Sequence, residues 1–496
     1  MAENRYCSRS TRAKVNSILS QRLLLVAGHA GAQGVLAPNA YGCQCCRHGT
    51  VRTQRCETRD AQTPHREDVK TMATILAYTS PALGHLFPFN ALLLELSGRG
   101  HKIHLRTVSA GVEMGRRLGF TTDTIDPRIE AIVHDDWKAS NPRAALKRAV
   151  DVFCRRAAYE VVDFTNAITR TRPDALIVDV NCWGAQSVAD ARDIPWACFS
   201  PYTPPLQSHG VPPFGLGLGP LPGVLGRVRD ATLRPIVMGM LEKAVLPLGN
   251  NIRASAGAPP VASVDEFMRR APLMLVASGK PFEYPQTNWG DTVQMIGPCM
   301  FEPAMDTVPD WLTAIDRPIV LVTTSSQQQA DAKLVATAIT ALADEPVHVV
   351  ATLPAGLPSD VTPGPNATVC EFVPHGPVLD RAVCAVTHGG MGATQKALAR
   401  GVPVCVVPFG RDQFEVARRV EVAGCGTRLP AKKLTAARLL ADVRQAITMT
   451  DGARQVAAGF AATGGVARGA DLIEQRVLGT ALSFAGKDLE GGTRPR

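Results

Sequence analysis

The sequence predicts an α/β protein made of two Rossmann-like, doubly wound parallel-sheet domains that face each other across a cleft. Three observations carry this. The 496-residue chain is 45% hydrophobic and 20% charged, enough for two or three domains with their own cores at ~100–200 residues each. Aromatics make up only 5% of it, while Gly and Pro number 43 and 37, a mix that suits an Ala/Val/Leu-rich α/β chain with short turns better than an aromatic-rich sandwich. Short apolar runs alternate with helical patterns, twice over, in the rhythm of βαβ units.

The first rhythm begins abruptly at Met72. Strand-like runs at 75–78, 102–107, 175–180 and 196–199 are separated by helical patterns at 86–99, 144–169 and 183–192. Seven prolines and five glycines then interrupt the pattern between 201 and 223. An irregular stretch of that length is expected to line a site rather than merely connect. The basic and apolar stretch 227–253 reads as an amphipathic surface helix, with peripheral membrane contact as the alternative.

The second rhythm follows Asp306. Strands are expected at 319–323, 347–352, 368–372, 383–387 and 404–407, with helices at 328–343, near 392–400 and through most of the rest to Gly479. A Pro- and Asp-punctuated joint around 297–309 divides a first domain, 72–300, from a second, 301–480, with a flexible tail at 481–496. Residues 1–71 read as a disordered extension, or as upstream sequence included by a misassigned start.

Charge and cysteine both separate that N-terminal stretch from the rest. The formal net charge is +9, but residues 1–71 hold 11 Lys and Arg against 5 Asp and Glu, so the remainder carries only +3. A nucleic-acid partner is therefore not expected. Cys43, Cys45 and Cys46 are too close together for a CxxC pair, and no second cluster supplies the missing zinc ligands. Eight further cysteines are scattered singly, and those in apolar runs, such as Cys384 and Cys405, read as small buried hydrophobes. That usage implies a reducing compartment, the cytoplasm. No stretch approaches the ~18 apolar residues of a membrane span.

The residues that bear chemistry fall at strand ends, where open α/β sheets bind ligands. His85 follows the first strand in Thr79-Ser80-Pro81-Ala82-Leu83-Gly84-His85, at a strand-to-helix turn suited to a general base. Asp179 ends the strand Ala175-Leu176-Ile177-Val178-Asp179 of the same half. A carboxylate bonded to one imidazole nitrogen fixes the tautomer and supports the imidazolium that forms at the other. In the second half, 383–387 runs into His388-Gly389-Gly390-Met391-Gly392-Ala393-Thr394. Such a turn lets backbone N–H groups and a helix end approach a diphosphate. The hydroxyl-lined turn Ser325-Ser326 can approach phosphate too, and Asp412-Gln413 offers an acid and an amide for sugar hydroxyls.

Taken together, His388-Gly389-Gly390, Gly401-Val402-Pro403 and Asp412-Gln413 resemble the donor-binding signature of family 1 nucleotide-sugar glycosyltransferases, nearest to the bacterial macrolide, glycopeptide and glycolipid branch. Val373-Pro374-His375 is similar to that family's loop at the nucleotide base, and Gly84-His85 with Pro88 to its acceptor-side motif. The resemblance spans Met72 to about Gly479. It implies a GT-B fold and an inverting, metal-independent transfer from a nucleotide-diphosphate sugar, with no further cofactor, to a hydroxyl of a hydrophobic small molecule or lipid. His85 would be the base and Asp179 its partner; His388, Gly389, Gly390, Gly392 and Thr394 would hold the diphosphate, and Asp412 and Gln413 the sugar.

One departure stands out. Lys396 replaces a Glu that in many relatives contacts the ribose, and an ammonium cannot accept those hydrogen bonds. That leaves a thymidine- or guanosine-linked donor open, with Lys396 reaching a phosphate oxygen or, alternatively, pointing to solvent while Gln395 takes the ribose. Two other classes compete: a nucleotide-sugar epimerase on a similar scaffold, against which the long 201–223 loop argues, and a non-catalytic sugar-nucleotide-binding protein, against which His85 and Asp179 argue. A nicotinamide dehydrogenase is disfavoured because no G-x-G-x-x-G follows the first strand.

Overall fold

A computed structural model describes residues 72–303, 307–329, 331–357 and 361–479. The expectations for residues 1–71, their cysteines included, and for the tail 481–496 lie outside the described residues.

Two wholly parallel sheets organise the chain. The first has the order β3-β2-β1-β4-β5-β6-β7, with β1 at Thr74–Tyr78, β2 at Lys102–Thr107, β3 at Thr121–Thr124, β4 at Ala175–Asp179, β5 at Trp196–Ser200, β6 at Leu273–Val276 and β7 at Val293–Met295. The second has the order β10-β9-β8-β11-β12-β13, with β8 at Ile319–Thr323, β9 at His348–Thr352, β10 at Ala367–Cys370, β11 at Ala382–Thr387, β12 at Val404–Val406 and β13 at Gly426–Arg428. In each sheet the winding reverses beside its first strand. The neighbours β1 and β4 (Tyr78 against Val178) and β8 and β11 (Thr323 against Thr387) therefore send their loops apart and open a crevice at their carboxyl ends.

The strands form because parallel strands covered on both faces need continuous apolar runs. Every residue of β4 is buried. Leu176 and Val178 enter the core on one face with Leu76 and Tyr78, while Ala175 and Ile177 enter the other with Ile75 and Ala77. The short strands β3, β6, β7 and β13 are not legible in the sequence. Thr121-Thr122-Asp123-Thr124 is polar, with only Thr122 buried, as an edge strand permits; β6 is apolar but four residues long.

Helices cover both sheets. Those used below are α1 (Leu83–Gly98), α2 (Pro142–Thr171), α3 (Trp183–Asp190), α4 (Gly223–Ala256), α5 (Lys333–Ala341), α6 (His375–Leu379), α7 (Met391–Leu398), α8 (Gln413–Val422) and α9 (Gly465–Ile473). The helix expected from 328 begins only at Lys333. Asp331 draws the preceding segment into a loop by accepting the Ser325 N–H at 2.7 Å and the Gln329 amide at 2.8 Å. The end of the described chain crosses back to the first sheet: Ala470, Leu472, Ile473, Val477 and Leu478 pack into its core with Leu92 and Leu275. Arg99 fixes that return through Asp471 at 2.6 Å, Glu474 at 2.9 Å and the Ala467 carbonyl at 2.9 Å.

Candidate active site

At the first switch point, β1 delivers His85 and β4 delivers Asp179. His85 lies inside the first turn of α1, not ahead of it as the sequence suggests. Its Nδ1 is 2.8 Å from Asp179 Oδ2, and that carboxylate is wholly buried. The other Asp179 oxygen accepts the Asn181 N–H at 2.8 Å. The Tyr202 hydroxyl donates to Asn181 Oδ1 at 2.8 Å, so the Asn181 amide nitrogen is free to donate to His85 Nε2 at 3.3 Å. These contacts put the proton of a neutral His85 on Nδ1 and the lone pair on Nε2, the arrangement of a base with a carboxylate behind it.

Burial alone pulls the His85 pKa down, but the Asp179 charge and hydrogen bond, with a further contribution from Asp412, more than offset it, so it lies above the ordinary imidazole value. Behind this pair α2 and α3 meet closely. A Cβ at Gly184 would sit 2.2 Å from the Ala157 carbonyl oxygen, and its N–H instead reaches Glu160 at 2.9 Å. Burial pushes the Glu160 carboxyl up to about 8.

The second switch point is built from backbone. β11 runs into His388, Gly389 and Gly390, and α7 begins at the next residue. Gly389 has φ +91°, and a Cβ there would lie 3.0 Å from the Gln413 Cβ. A Cβ on Gly390 would lie 2.3 Å from His388 Nε2, so the imidazole covers bare backbone. Gly392 faces open space. Burial holds His388 below the ordinary range, leaving a neutral ring beside the N–H groups and positive end of α7. Thr394 does not open to the cleft: its hydroxyl is buried, 3.3 Å from that of Thr387.

The loops around this turn are interlocked. Ser325 is buried, its Oγ accepting the Gln327 N–H at 3.1 Å, whereas Ser326 is exposed. Asp412 stands at the N-cap position of α8 without a capping hydrogen bond from its side chain, and burial raises its carboxyl pKa although the His85 charge opposes this. Gln413 departs from the expected sugar contact. Its Oε1 accepts the N–H groups of Phe409 at 2.8 Å and Gly410 at 3.1 Å, and its amide donates to Gln329 at 2.9 Å. Arg411, at φ +56°, sends its guanidinium across the cleft to both Asp136 oxygens at 3.0 Å and to Gln327 at 3.1 Å.

At the far end, Val373 is a core residue and His375 opens α6, its Nε2 3.2 Å from the Thr352 hydroxyl. Burial, with Lys396 beside it, pushes the His375 pKa down to about 4. Lys396 is neither free for a phosphate nor turned to solvent. Its Nζ lies 3.1 Å from Glu302 Oε1, and the Glu302 oxygens accept the Gly376 N–H at 3.0 and 2.8 Å. Gln395 is committed too, donating to the Ala277 carbonyl of the first half at 2.6 Å.

The structure thus brings His85, Asp179 and Asp412 into one electrostatic group and assembles the glycine turn, while assigning Gln413, Thr394 and Gln395 to scaffolding. Sequence reasoning missed Asn181, Tyr202, Asp136, Arg411 and Glu302. Only Asn181, two residues after a strand-end aspartate, carried a local signal. Among the described residues no three His, Cys, Asp or Glu side chains gather as metal ligands, and no helix is long and apolar enough to cross a membrane.

Two facing Rossmann-like sheets, with a histidine–carboxylate pair at one switch point and a glycine-rich helix start at the other, define a GT-B sugar-transferring enzyme. Residues 327–467 match the family described as erythromycin biosynthesis protein CIII-like, C-terminal domain. The chain is 31% identical to 4'-demethylrebeccamycin synthase of Lentzea aerocolonigenes over 392 residues, 76% of this chain and 91% of that protein. Its fold matches the crystal structure of the kitacinnamycin glycosyltransferase with TM-score 0.65 and 23% identity, covering 82% of this chain and 99% of the other. It also matches the spinosyn rhamnosyltransferase SpnG complexed with thymidine diphosphate, with TM-score 0.60 and 17% identity, covering 81% and 99%. The chain belongs to the family 1 nucleotide-sugar glycosyltransferases.

Proposed function

We propose that the enzyme moves a sugar from a thymidine-diphosphate donor, with inversion and without a metal ion, to a hydroxyl of a hydrophobic small molecule or lipid. The observation that carries this is the His85–Asp179 pair, set against the glycine turn at the opposite switch point. The pair turns the Nε2 lone pair away from the carboxylate, where among the described residues it meets only the Asn181 amide at 3.3 Å. His85 Nε2 takes the acceptor proton, the oxygen forms a bond to the anomeric carbon, and the bond to the diphosphate oxygen breaks with its electron pair on the leaving group. Asp179 supports the imidazolium, and one displacement inverts the centre. The leaving diphosphate meets the Gly389 and Gly390 backbone and the α7 end, preorganised donors that stand in for a metal.

Asp412, facing His85, is the sugar-side carboxylate in this reading. At the nucleoside end Glu302 supplies the acceptor oxygens that Lys396 lacks. The donor assignment draws support from SpnG, whose structure holds thymidine diphosphate. A hydrophobic acceptor, or contact with a membrane face, fits the apolar side chains that α4 exposes at Val224, Leu225 and Val228. The test is a mass-spectrometric screen of thymidine-, uridine- and guanosine-diphosphate sugars against a pool of hydrophobic hydroxyl compounds. Transfer from a thymidine-linked sugar giving the opposite anomer, undiminished by EDTA, is expected. Retention of configuration, or loss of transfer in EDTA, would overturn the corresponding part.

A further inference from the structure

The loop 201–222 belongs to the first half in sequence but is fastened at its far end to the second. It leaves β5 beside the base: the Tyr202 ring is 5.7 Å from that of His85. Fifteen or so residues on, Gly215 and Gly217 both donate their N–H groups to Glu415 Oε1, each at 2.8 Å. Glu415 stands on α8, one turn from Asp412 and 3% exposed. Two further contacts flank it: Arg418 Nε reaches the Gly217 carbonyl at 2.9 Å, and the Tyr284 hydroxyl reaches the Leu218 carbonyl at 3.1 Å.

The other Glu415 oxygen extends the linkage. Arg419 Nη1 lies 2.9 Å from Glu415 Oε2 and its Nε lies 2.8 Å from Glu283 Oε2, all three side chains being almost fully buried. Glu283 Oε1 in turn accepts the hydroxyls of Thr203 at 2.5 Å and Ser278 at 2.8 Å. A buried chain of charge thus runs from Thr203, at the start of the loop, through Glu283, Arg419 and Glu415 to Gly215 and Gly217 near its end. Gly217 is buried, and a buried backbone donor of this kind demands an acceptor, whereas Gly215 lies at the surface. The loop holds no regular secondary structure that would otherwise supply one.

We propose that Glu415 is a positioning residue for the acceptor side of the reaction: through α8, the donor half holds the 201–222 loop against the base. Asp412 and Gln413 open α8 and Glu415 follows directly, so one helix touches both substrate regions. Closure of the two halves shapes the loop, and a nucleotide whose diphosphate sits at the Gly389–Gly390 turn, which packs against Gln413 at the start of α8, steadies it. This rests on the donor reading above.

The test uses the full chain and thymidine diphosphate as the probe. Hydrogen exchange, read by mass spectrometry over peptides from 201–222, reports the clamp; calorimetric titration of thymidine diphosphate reports the donor reading separately. Glu415→Ala is expected to speed exchange at 215–219 at least tenfold and to abolish the further slowing that thymidine diphosphate gives the wild type, while its Kd for the nucleotide stays within threefold. Glu415→Gln keeps an oxygen for both N–H groups but not the charge, so it is expected to hold exchange within threefold of wild type. A glutamine variant as loose as the alanine one would mean that charge pairing with Arg419 is the whole role, and would overturn the proposal. Should Glu415→Ala fail to fold, Gly217→Ala replaces it: a Cβ there, at φ +59°, would lie 2.9 Å from the Phe414 carbonyl and lift the loop without disturbing the buried charges. Wild-type exchange in that folded variant would equally overturn the clamp. A wild type that does not bind thymidine diphosphate would overturn the donor reading, yet the nucleotide-free exchange comparison would still decide the role of Glu415.

Discussion

The two switch points share a topology and differ in what they do to a histidine. At the β1/β4 crevice a wholly buried carboxylate 2.8 Å away raises the His85 pKa against the pull of burial. At the β8/β11 crevice burial prevails and His388 is depressed. In the proposed reading the first is a place for a proton and the second a place for an anion held by backbone N–H groups and a helix end. A repeated architecture therefore says where ligands bind, and the side chains at the strand ends say what happens there.

The largest separation between the two should come from His85→Ala. Losing a positioned base costs ~10²–10⁴ in kcat, while thymidine diphosphate affinity, a property of the other crevice, stays within about threefold on the scale of additive distant sites. Asp179→Asn should act in the same direction with a smaller loss. Equal loss of nucleotide affinity in both would erase the division of labour.

The converse variant is Gly389→Ala. Forcing an alanine to φ +91° costs of order 1–3 kcal/mol, which predicts a fall of ~10-fold in nucleotide affinity with the pH profile unmoved. Unchanged affinity in calorimetry would show that the glycine turn does not hold the diphosphate.

The pH dependence sharpens the contrast. Because the folded pKa of His85 is raised, its interaction with Asp179 stabilises the fold fully below the ordinary imidazole value and is lost as pH rises through the raised one. Catalysis needs the neutral ring, so kcat/KM should rise over that same upper window. In Asp179→Asn the acidic limb should move to lower pH. A limb that stays put would mean another group titrates.

Smaller effects should follow where the crevices meet. Arg411→Lys exchanges a two-pronged grip on Asp136 for a point charge and should raise the donor KM by about threefold, leaving nucleotide affinity alone if Arg411 serves closure only. Lys396→Glu sets a second carboxylate beside Glu302. Like charges there should weaken both nucleotides by about the same factor. A shift in the uridine-to-thymidine diphosphate affinity ratio would instead assign Lys396 itself to the ribose.

Sequence alone was sufficient for the alternation of strands and helices, because buried parallel strands must be continuous apolar runs and β4 is buried at every position. It was also sufficient to set Asp179 and the His388–Gly392 turn at the ends of their strands and His85 shortly beyond the first, since a strand end is a local feature. What pairs across the fold was decided by tertiary structure. Glu302 meets Lys396, Asp136 meets Arg411, and Glu415 meets Gly215 and Gly217, partners separated by dozens to hundreds of residues with no periodicity linking them. The same holds for Gln413 and Thr394, whose side chains suit a ligand until the packed loops claim their hydrogen bonds. A hydrogen bond or ion pair is a statement about distance in space, and only the closed chain sets that distance.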